Sequence, residues 1–484
     1  MIVGLLLFLP AILIGWSAVR ILRAVPREAL WTGALIEISL GAGVGIGVVS
    51  IAYFGLLWAN VAGRAVLLSA EVAMAAGGVW LAIRRRAVKS EAAPVARSPW
   101  IWLLRAAAIL TLLFFAFDAS KSMDANPHGG WDAFTIWNLK AKFLAGGSGS
   151  WRNAMAPVAG GALFGANHPG YPLLLPAAVA SAWTMQGATA SATPAALSAL
   201  FAFATAAMLC AAIAWLRGEA AGLIALLLLL GTEGFVSQAG LQNADVPISF
   251  YLLAVLMLLV FASDQGWPRG TMALAGLCCA FAAWTKNEGL PFAILAVAVV
   301  AWRGGRKATR WMAVGALPVA ALIAGFKFLL VPDREAMFPR TMGEALSKAA
   351  DWSRWMQIAE SFIQSLWQMG SPWVHPVLLV AILAVTLGLE PRSRVRQRIW
   401  LAVPIAGLLP ADFAAYLVTT ADLGWQLSTS NVRLLVQVWP SLLFLTLLVI
   451  VPPALEQAAA LEMQKPAHGK AKRKQSRGSV VQAK

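Results

Sequence analysis

The residues able to do chemistry in this chain of 484 residues gather in five short stretches. In the first, Gly129 and Gly130 close a loop, and Trp131-Asp132-Ala133-Phe134-Thr135-Ile136-Trp137-Asn138-Leu139-Lys140 follows. Helix formers and large apolar side chains predict a short surface helix that begins with a carboxylate. Asp132 could take a proton as a general base, or merely cap a helix whose dipole favours an acid there. The second is Asn167-His168-Pro169-Gly170-Tyr171-Pro172, where breakers impose an irregular loop. His168 could ligate, donate a hydrogen bond or only turn the chain. The third, Gln242-Asn243-Ala244-Asp245-Val246-Pro247, reads as a helix start, with Asp245 a cap or a second functional acid. The fourth, Trp284-Thr285-Lys286-Asn287-Glu288-Gly289, sets a charged pair inside a long apolar run. Ionisable groups at such depth are costly and are functional candidates by default. The fifth includes Asp422, Trp425, Gln426, Ser430 and Asn431 and ends on Arg433, a side chain that can grip a phosphate with two parallel hydrogen bonds.

The elements that position these residues follow from composition. Hydrophobic residues make up 60% of the chain and charged residues 12%, against about 25% charged in soluble proteins. Mean hydropathy is +0.72. These values exclude a soluble globular enzyme, a nucleic-acid-binding domain and a disordered protein. Apolar blocks of about 17 to 29 residues recur, and roughly 20 suffice for a helix to cross a bilayer. The expected fold is an all-α polytopic membrane protein, because helices satisfy their own backbone in lipid. Candidate spans cover 2–19, 30–58, 65–83, 100–118, 194–216, 220–237, 246–262, 270–285, 289–302, 311–331, 373–389, 400–418 and 434–453, about 13 crossings of the length a bilayer requires.

The net charge of +16 reads as topology. Loops 20–28, 84–97, 303–310 and 390–398 and the tail after 453 hold the basic excess, as cytoplasmic segments should. The apolar stretch 171–187 carries Pro172 and Pro176 and is expected to be re-entrant or to lie along the interface. A full crossing there would turn the later basic loops outward. Segments 119–193, 238–245, 332–372 and 419–433 then share the outer face with the junction 286–288. Within 332–372, apolar residues from Met342 to Trp367 recur at helical spacing, which predicts an outer amphipathic helix. Glu37, Glu71, Arg105, Lys327 and Asp412 fall within spans, and their scatter favours structural pairing. Cys210, Cys278 and Cys279 all lie in apolar blocks, with no spacing that suggests a disulfide framework or metal site.

The ordered series Trp131-Asp132 to Trp137-Asn138-Leu139-Lys140, His168-Pro169-Gly170-Tyr171-Pro172, Ala244-Asp245-Val246-Pro247, Trp284 to Gly289 and Asp422 to Arg433 resembles the membrane glycosyltransferases of the GT-C superfamily. Within that superfamily it is similar to bacterial proteins that resemble protein mannosyltransferases and lipid A aminoarabinose transferases. The resemblance covers about residues 100–453 and implies a transmembrane catalytic core over 94–453. It leaves 1–93 as an N-terminal three-helix extension and 454–484 as a basic, disordered cytoplasmic tail suited to anionic membrane lipids. It implies a hexosyl- or pentosyl-transferase of the bacterial inner membrane, working on the outer face. The donor would be a polyprenyl-phosphate-linked sugar and the acceptor an envelope glycan, lipid or protein, with no nucleic acid involved. Asp132 would be the catalytic base, and transfer would invert the anomeric centre. Trp137, Asn138, Lys140, His168, Tyr171, Asp245, Lys286, Glu288 and Arg433 would bind substrate. No cofactor is required by the residues; a divalent metal held by Asp132, His168 and Asp245 is a secondary implication. The alternative from another class is a lipid-linked sugar flippase or other polytopic transporter. No internal repeat of the transporter kind is visible, and the polar residues collect at one face.

Overall fold

The computed structural model describes residues 2–25, 30–84, 100–155, 168–331, 339, 341–371 and 375–453. The tail 454–484 and most of the basic loop 84–97 lie outside the described residues. In chain order the helices begin with α1 (Ile2–Leu6), α2 (Leu9–Leu22), α3 (Leu30–Trp58), α4 (Arg64–Arg84), α5 (Trp100–Ala125), α6 (Leu139–Ala145) and α7 (Leu174–Gln186). The central group is α8 (Ala192–Arg217), α9 (Glu219–Leu230), α10 (Glu233–Gly240), α11 (Asp245–Asp264), α12 (Arg269–Thr285), α13 (Gly289–Arg303) and α14 (Gly305–Gly325). The last group is α15 (Met342–Ala350), α16 (Trp352–Gln368), α17 (Pro376–Leu387), α18 (Arg392–Arg398), α19 (Val403–Val418) and α20 (Leu423–Val449). Among the described residues the only strand-like pairing is an isolated bridge between Leu389 and Ile450. The chain is a multi-pass α-helical membrane protein.

Among the described residues, eight helices are long and apolar enough to span a bilayer, or nine if α9 and α10, bent by 65° at their break, form one span. The larger number expected from hydropathy includes blocks that fold as shorter helices. α2, α12, α13 and α17 hold 14, 17, 15 and 12 residues. At 1.5 Å per residue they measure about 18 to 26 Å, short of a hydrocarbon core of about 30 Å.

Polar contacts between helix termini define two ends of the bundle. At one end Arg217 bonds Glu390 at 2.6 Å and Arg398 bonds Asp264 at 2.9 Å. There Thr271 donates to the Ala24 carbonyl at 3.4 Å, and Arg303 lies 5.7 Å from the Trp400 ring centroid. The ends of α2, α8, α11, α12, α13, α18 and α20 meet here, beside the basic loops. The chemistry-bearing stretches meet at the opposite end.

α11 is the axis. Every residue from Asp245 to Ala262 is buried, against α3, α8, α12 and α20. Although it lies in the N-terminal segment, α3 is part of this core: Tyr251 donates to the Gly43 carbonyl at 2.8 Å. Close approach to α2 needs glycine. A Cβ on Gly45 would stand 1.7 Å from the Ala11 carbonyl oxygen, and one on Gly15 would stand 1.8 Å from that of Gly41. α7 is buried against α3, α6 and α8 along nearly its whole length, and its 13 residues are too few to cross a bilayer as one straight helix. The predicted amphipathic stretch forms two helices rather than one. Asp351 leaves helical geometry and caps α16, accepting from the Ser353 N–H at 3.0 Å. Both helices keep an exposed apolar face, with Met342, Leu346, Trp352 and Ile363 outward.

Gly45→Leu should force α2 and α3 apart and lower stability by about 1–3 kcal/mol or more, the usual cost of overpacking. Gly77 on α4, where a Cβ would meet nothing within 4 Å, is the control: Gly77→Leu should melt like the parent in detergent.

Candidate functional site

The first stretch is shaped by its own backbone. Gly129 adopts a left-handed φ of 79°, and the Gly130 N–H donates to the Leu241 carbonyl at 2.8 Å. Asn138 donates to the His128 carbonyl at 2.9 Å and to Gln242 at 3.3 Å. These bonds fasten the loop before α11 to the segment that carries Asp132. Residues Ala133–Asn138 wind as a π-helix ahead of α6. Asp132 makes no capping bond there. Its carboxylate turns instead to Arg433, at 2.5 Å, so capping does not explain this acid.

Asp245, with a side chain 0% exposed, lies one step deeper. It is not a cap either; it accepts three side-chain hydrogen bonds. Arg433 Nε donates at 2.9 Å, Lys286 Nζ at 3.0 Å and Gln437 Nε2 at 2.8 Å. Lys286 also meets Glu288 at 2.9 Å. The result is an unbroken alternation of charge, Asp132–Arg433–Asp245–Lys286–Glu288, with three carboxylates against two cations. Burial pulls the Lys286 ammonium down, but Asp245 and Glu288 outweigh it and hold the group above the ordinary lysine range. Exposure falls along the chain, from 29% at the Asp132 side chain to 16% at Arg433 and none at Asp245. Asp132 therefore stands at the mouth.

The His168 loop is clamped from two sides. Lys140, itself buried, donates to the carbonyls of His168 at 2.7 Å and Tyr171 at 3.1 Å. Lys327, from the π-helical turn Phe326–Leu330 after α14, donates to the Gly170 carbonyl and to Asn287 Oδ1, the latter at 2.8 Å. This lysine joins the loop to the Lys286–Glu288 junction. His168 takes a left-handed φ of 41°, and its ring lies 4.6 Å from that of Tyr171, which also stacks on Trp137 at 5.6 Å. Burial, and then the Lys140 charge, push His168 below the ordinary imidazole value. Beside the stack is a narrow cleft lined by Trp137, Asn138, Ser198, Gln242, Asn243 and Pro247. Trp137 Nε1 and Asn243 Oδ1 are buried there without a partner among the described residues.

The structure brings Asp132, Asp245, Lys286, Glu288 and Arg433 into one bonded cluster. Trp137, His168 and Tyr171 form a ring stack beside it. Lys140 faces the loop carbonyls, and Asn138 faces Gln242. The predicted outer loop 419–433 is mostly helix: α20 starts at Leu423, capped by Asp422, which accepts from the Trp425 N–H at 2.7 Å. Arg433 is thus set inside a helix and aimed by it. Sequence reasoning misses Gln437, which a spacing of four from Arg433 places on the same helix face. Sequence reasoning also leaves the partners of Lys327 unnamed; this lysine bonds Asn287 and the Gly170 carbonyl. Among the described residues no three His, Cys, Asp or Glu side chains form a group that could hold a metal. Asp132, His168 and Asp245 do not make one, and the Asp245 oxygens are occupied by Arg433, Lys286 and Gln437.

Asp245→Ala should destabilise the protein by about 3–5 kcal/mol, because it leaves two cations without their buried partner. Asp132→Asn, at the mouth, should cost about 1 kcal/mol or less. Thermal unfolding of both variants in detergent checks the order. Comparison with known proteins finds no matching family model, no matching curated sequence and no matching solved structure.

Proposed function

We propose that the protein is a GT-C-like membrane glycosyltransferase that moves a sugar from a polyprenyl-phosphate carrier to an acceptor hydroxyl. The observation that carries this reading is the convergence of Asp132, Asp245, Lys286 and Arg433 from distant segments at one end of a membrane bundle. A carboxylate at the mouth and a guanidinium beside it are the two groups such a transfer needs.

In this mechanism the acceptor oxygen attacks the anomeric carbon from the face opposite the phosphate. Its proton passes to Asp132, which must lie within about 3 Å of it. The bond from the anomeric carbon to the phosphate oxygen breaks, and the electron pair leaves on polyprenyl phosphate. Arg433 meets the growing charge, with the Lys286 field behind it. Asp245 and Gln437 hold Arg433 and Lys286 in place. The aromatic stack Trp137–Tyr171–His168 would border a bound sugar.

The site end is assigned to the outer face of a bacterial inner membrane. The opposite end carries Arg20, Arg23, Arg217, Arg303 and the arginines of α18, in keeping with the positive-inside rule. Counting the short helices and the joined α9–α10 as crossings gives about 13 passes with each shorter one locally thinning the bilayer. The acceptor is an envelope glycan, lipid or protein. No divalent metal is assigned to the Asp132, His168 and Asp245 group.

Three measurements test the reading. Glycan and lipid profiles should differ between cells with and without the protein, and Asp132→Asn should behave as the null while inserting normally. Retained transfer by that variant removes the base. Movement of lipid-linked sugar between leaflets of liposomes without any glycosylated product would identify a flippase instead. A tag at residue 190 should report from the outer side; a cytoplasmic position breaks the topology.

A further inference from the structure

We infer that Arg433 is a donor-operated latch on Asp132: the guanidinium holds the base engaged until a lipid-linked phosphate takes its place. This inference rests on the proposed transferase reading and adds to it how the site is switched on.

The geometry is asymmetric. Arg433 uses Nε for buried Asp245 at 2.9 Å and an outer nitrogen for Asp132 at 2.5 Å. The inner bond is backed: Asp245 also keeps Lys286 at 3.0 Å and Gln437 at 2.8 Å. The outer bond is the one nearer solvent, with the Asp132 side chain 29% exposed. A phosphate arriving at the mouth therefore competes for the outer edge of the guanidinium while Nε stays anchored. Paired nitrogens on that edge fit two phosphate oxygens better than one carboxylate oxygen.

Charge drives the consequence. The cluster already has three carboxylates against two cations. Adding a phosphodiester releases Asp132 with no cation of its own, next to a further negative charge. A carboxylate so placed holds a proton more readily. The donor thereby creates the base that its own transfer requires. Without donor, an acceptor hydroxyl finds Asp132 occupied, so binding is ordered, donor before acceptor.

The test labels carboxylates of the full-length protein in detergent with a water-soluble carbodiimide and an amine, and reads Asp132 by peptide mass spectrometry. The probe is geranylgeranyl monophosphate, with geranylgeraniol as the neutral control and native mass spectrometry reporting bound lipid. The phosphate lipid should raise Asp132 labelling on the order of tenfold, an ordinary coupling between two ligands of one group; the alcohol should leave it unchanged. Arg433→Ala should be labelled strongly without lipid and gain nothing from it. Arg433→Lys, which preserves the buried charge next to Asp245, should show the same loss of response if the alanine variant does not fold. Bound phosphate lipid with unchanged or reduced Asp132 labelling overturns the latch and leaves the transferase reading standing. Failure of the protein to prefer the phosphate lipid over the alcohol overturns both.

Discussion

A carboxylate sealed from solvent must find compensation for its charge, and Asp245 finds it in Arg433, Lys286 and Gln437. The rest of the site follows from that demand. Arg433 and Gln437 require α20 to present one face to the start of α11. Lys286 requires α12 to end where it does, with its last turn sealed against α11. Once these three helices are fixed, the charges left over, Asp132 and Glu288, are drawn to the two ends of the same chain of ion pairs. A buried ion pair is weak evidence for stability alone, because an apolar replacement often serves as well. Its presence at the one end where polar segments collect is an argument about function.

The polar cluster is supported by apolar packing of unusual tightness. Trp284, two residues before Lys286, is buried and donates to Ser50 on α3 at 3.1 Å. α3 is in turn pressed against α2 through glycines that leave no room for a side chain. The N-terminal helices thus buttress the junction 286–288 from behind. Lys327 does the same from the other side by binding Asn287. The His168 loop, irregular because Pro169, Gly170 and Pro172 prevent helix or strand, gains its definite shape from two lysines bonding its carbonyls.

Much of this is legible in the linear chain, in a patterned way. Hydropathy alone locates α3, α4, α5, α8 and α11 closely, since long apolar helices announce themselves. The five polar stretches stand out because ionisable residues are rare in such a composition. What stays hidden is everything decided by partners far along the chain. The start of α20 is hidden because Ser428, Thr429, Ser430 and Asn431 look like a loop until Asp422 is seen to cap the helix. Lys327 looks like a stray charge in a span because these partners are 40 and 157 residues distant. The burial of α7 is unreadable because an apolar stretch with prolines suits an interface as well as a core. Asp351 reads as part of a continuous helix face, where the Asp-x-Ser spacing of an N-cap is the sign that breaks it.

The order in which these partners leave the ribosome differs from the order in which they are needed. Lys286 follows Asp245 by 41 residues, but Arg433 follows it by 188. Throughout that interval the acid at the head of α11 has only part of its compensation, and the helix that completes it comes last among the described residues. Biogenesis must therefore tolerate an unfinished polar centre inside the membrane. A ribosome stalled before α20 would release a chain with nearly all its hydrophobic mass and an exposed fault at its axis, a distinction that membrane quality control can act on.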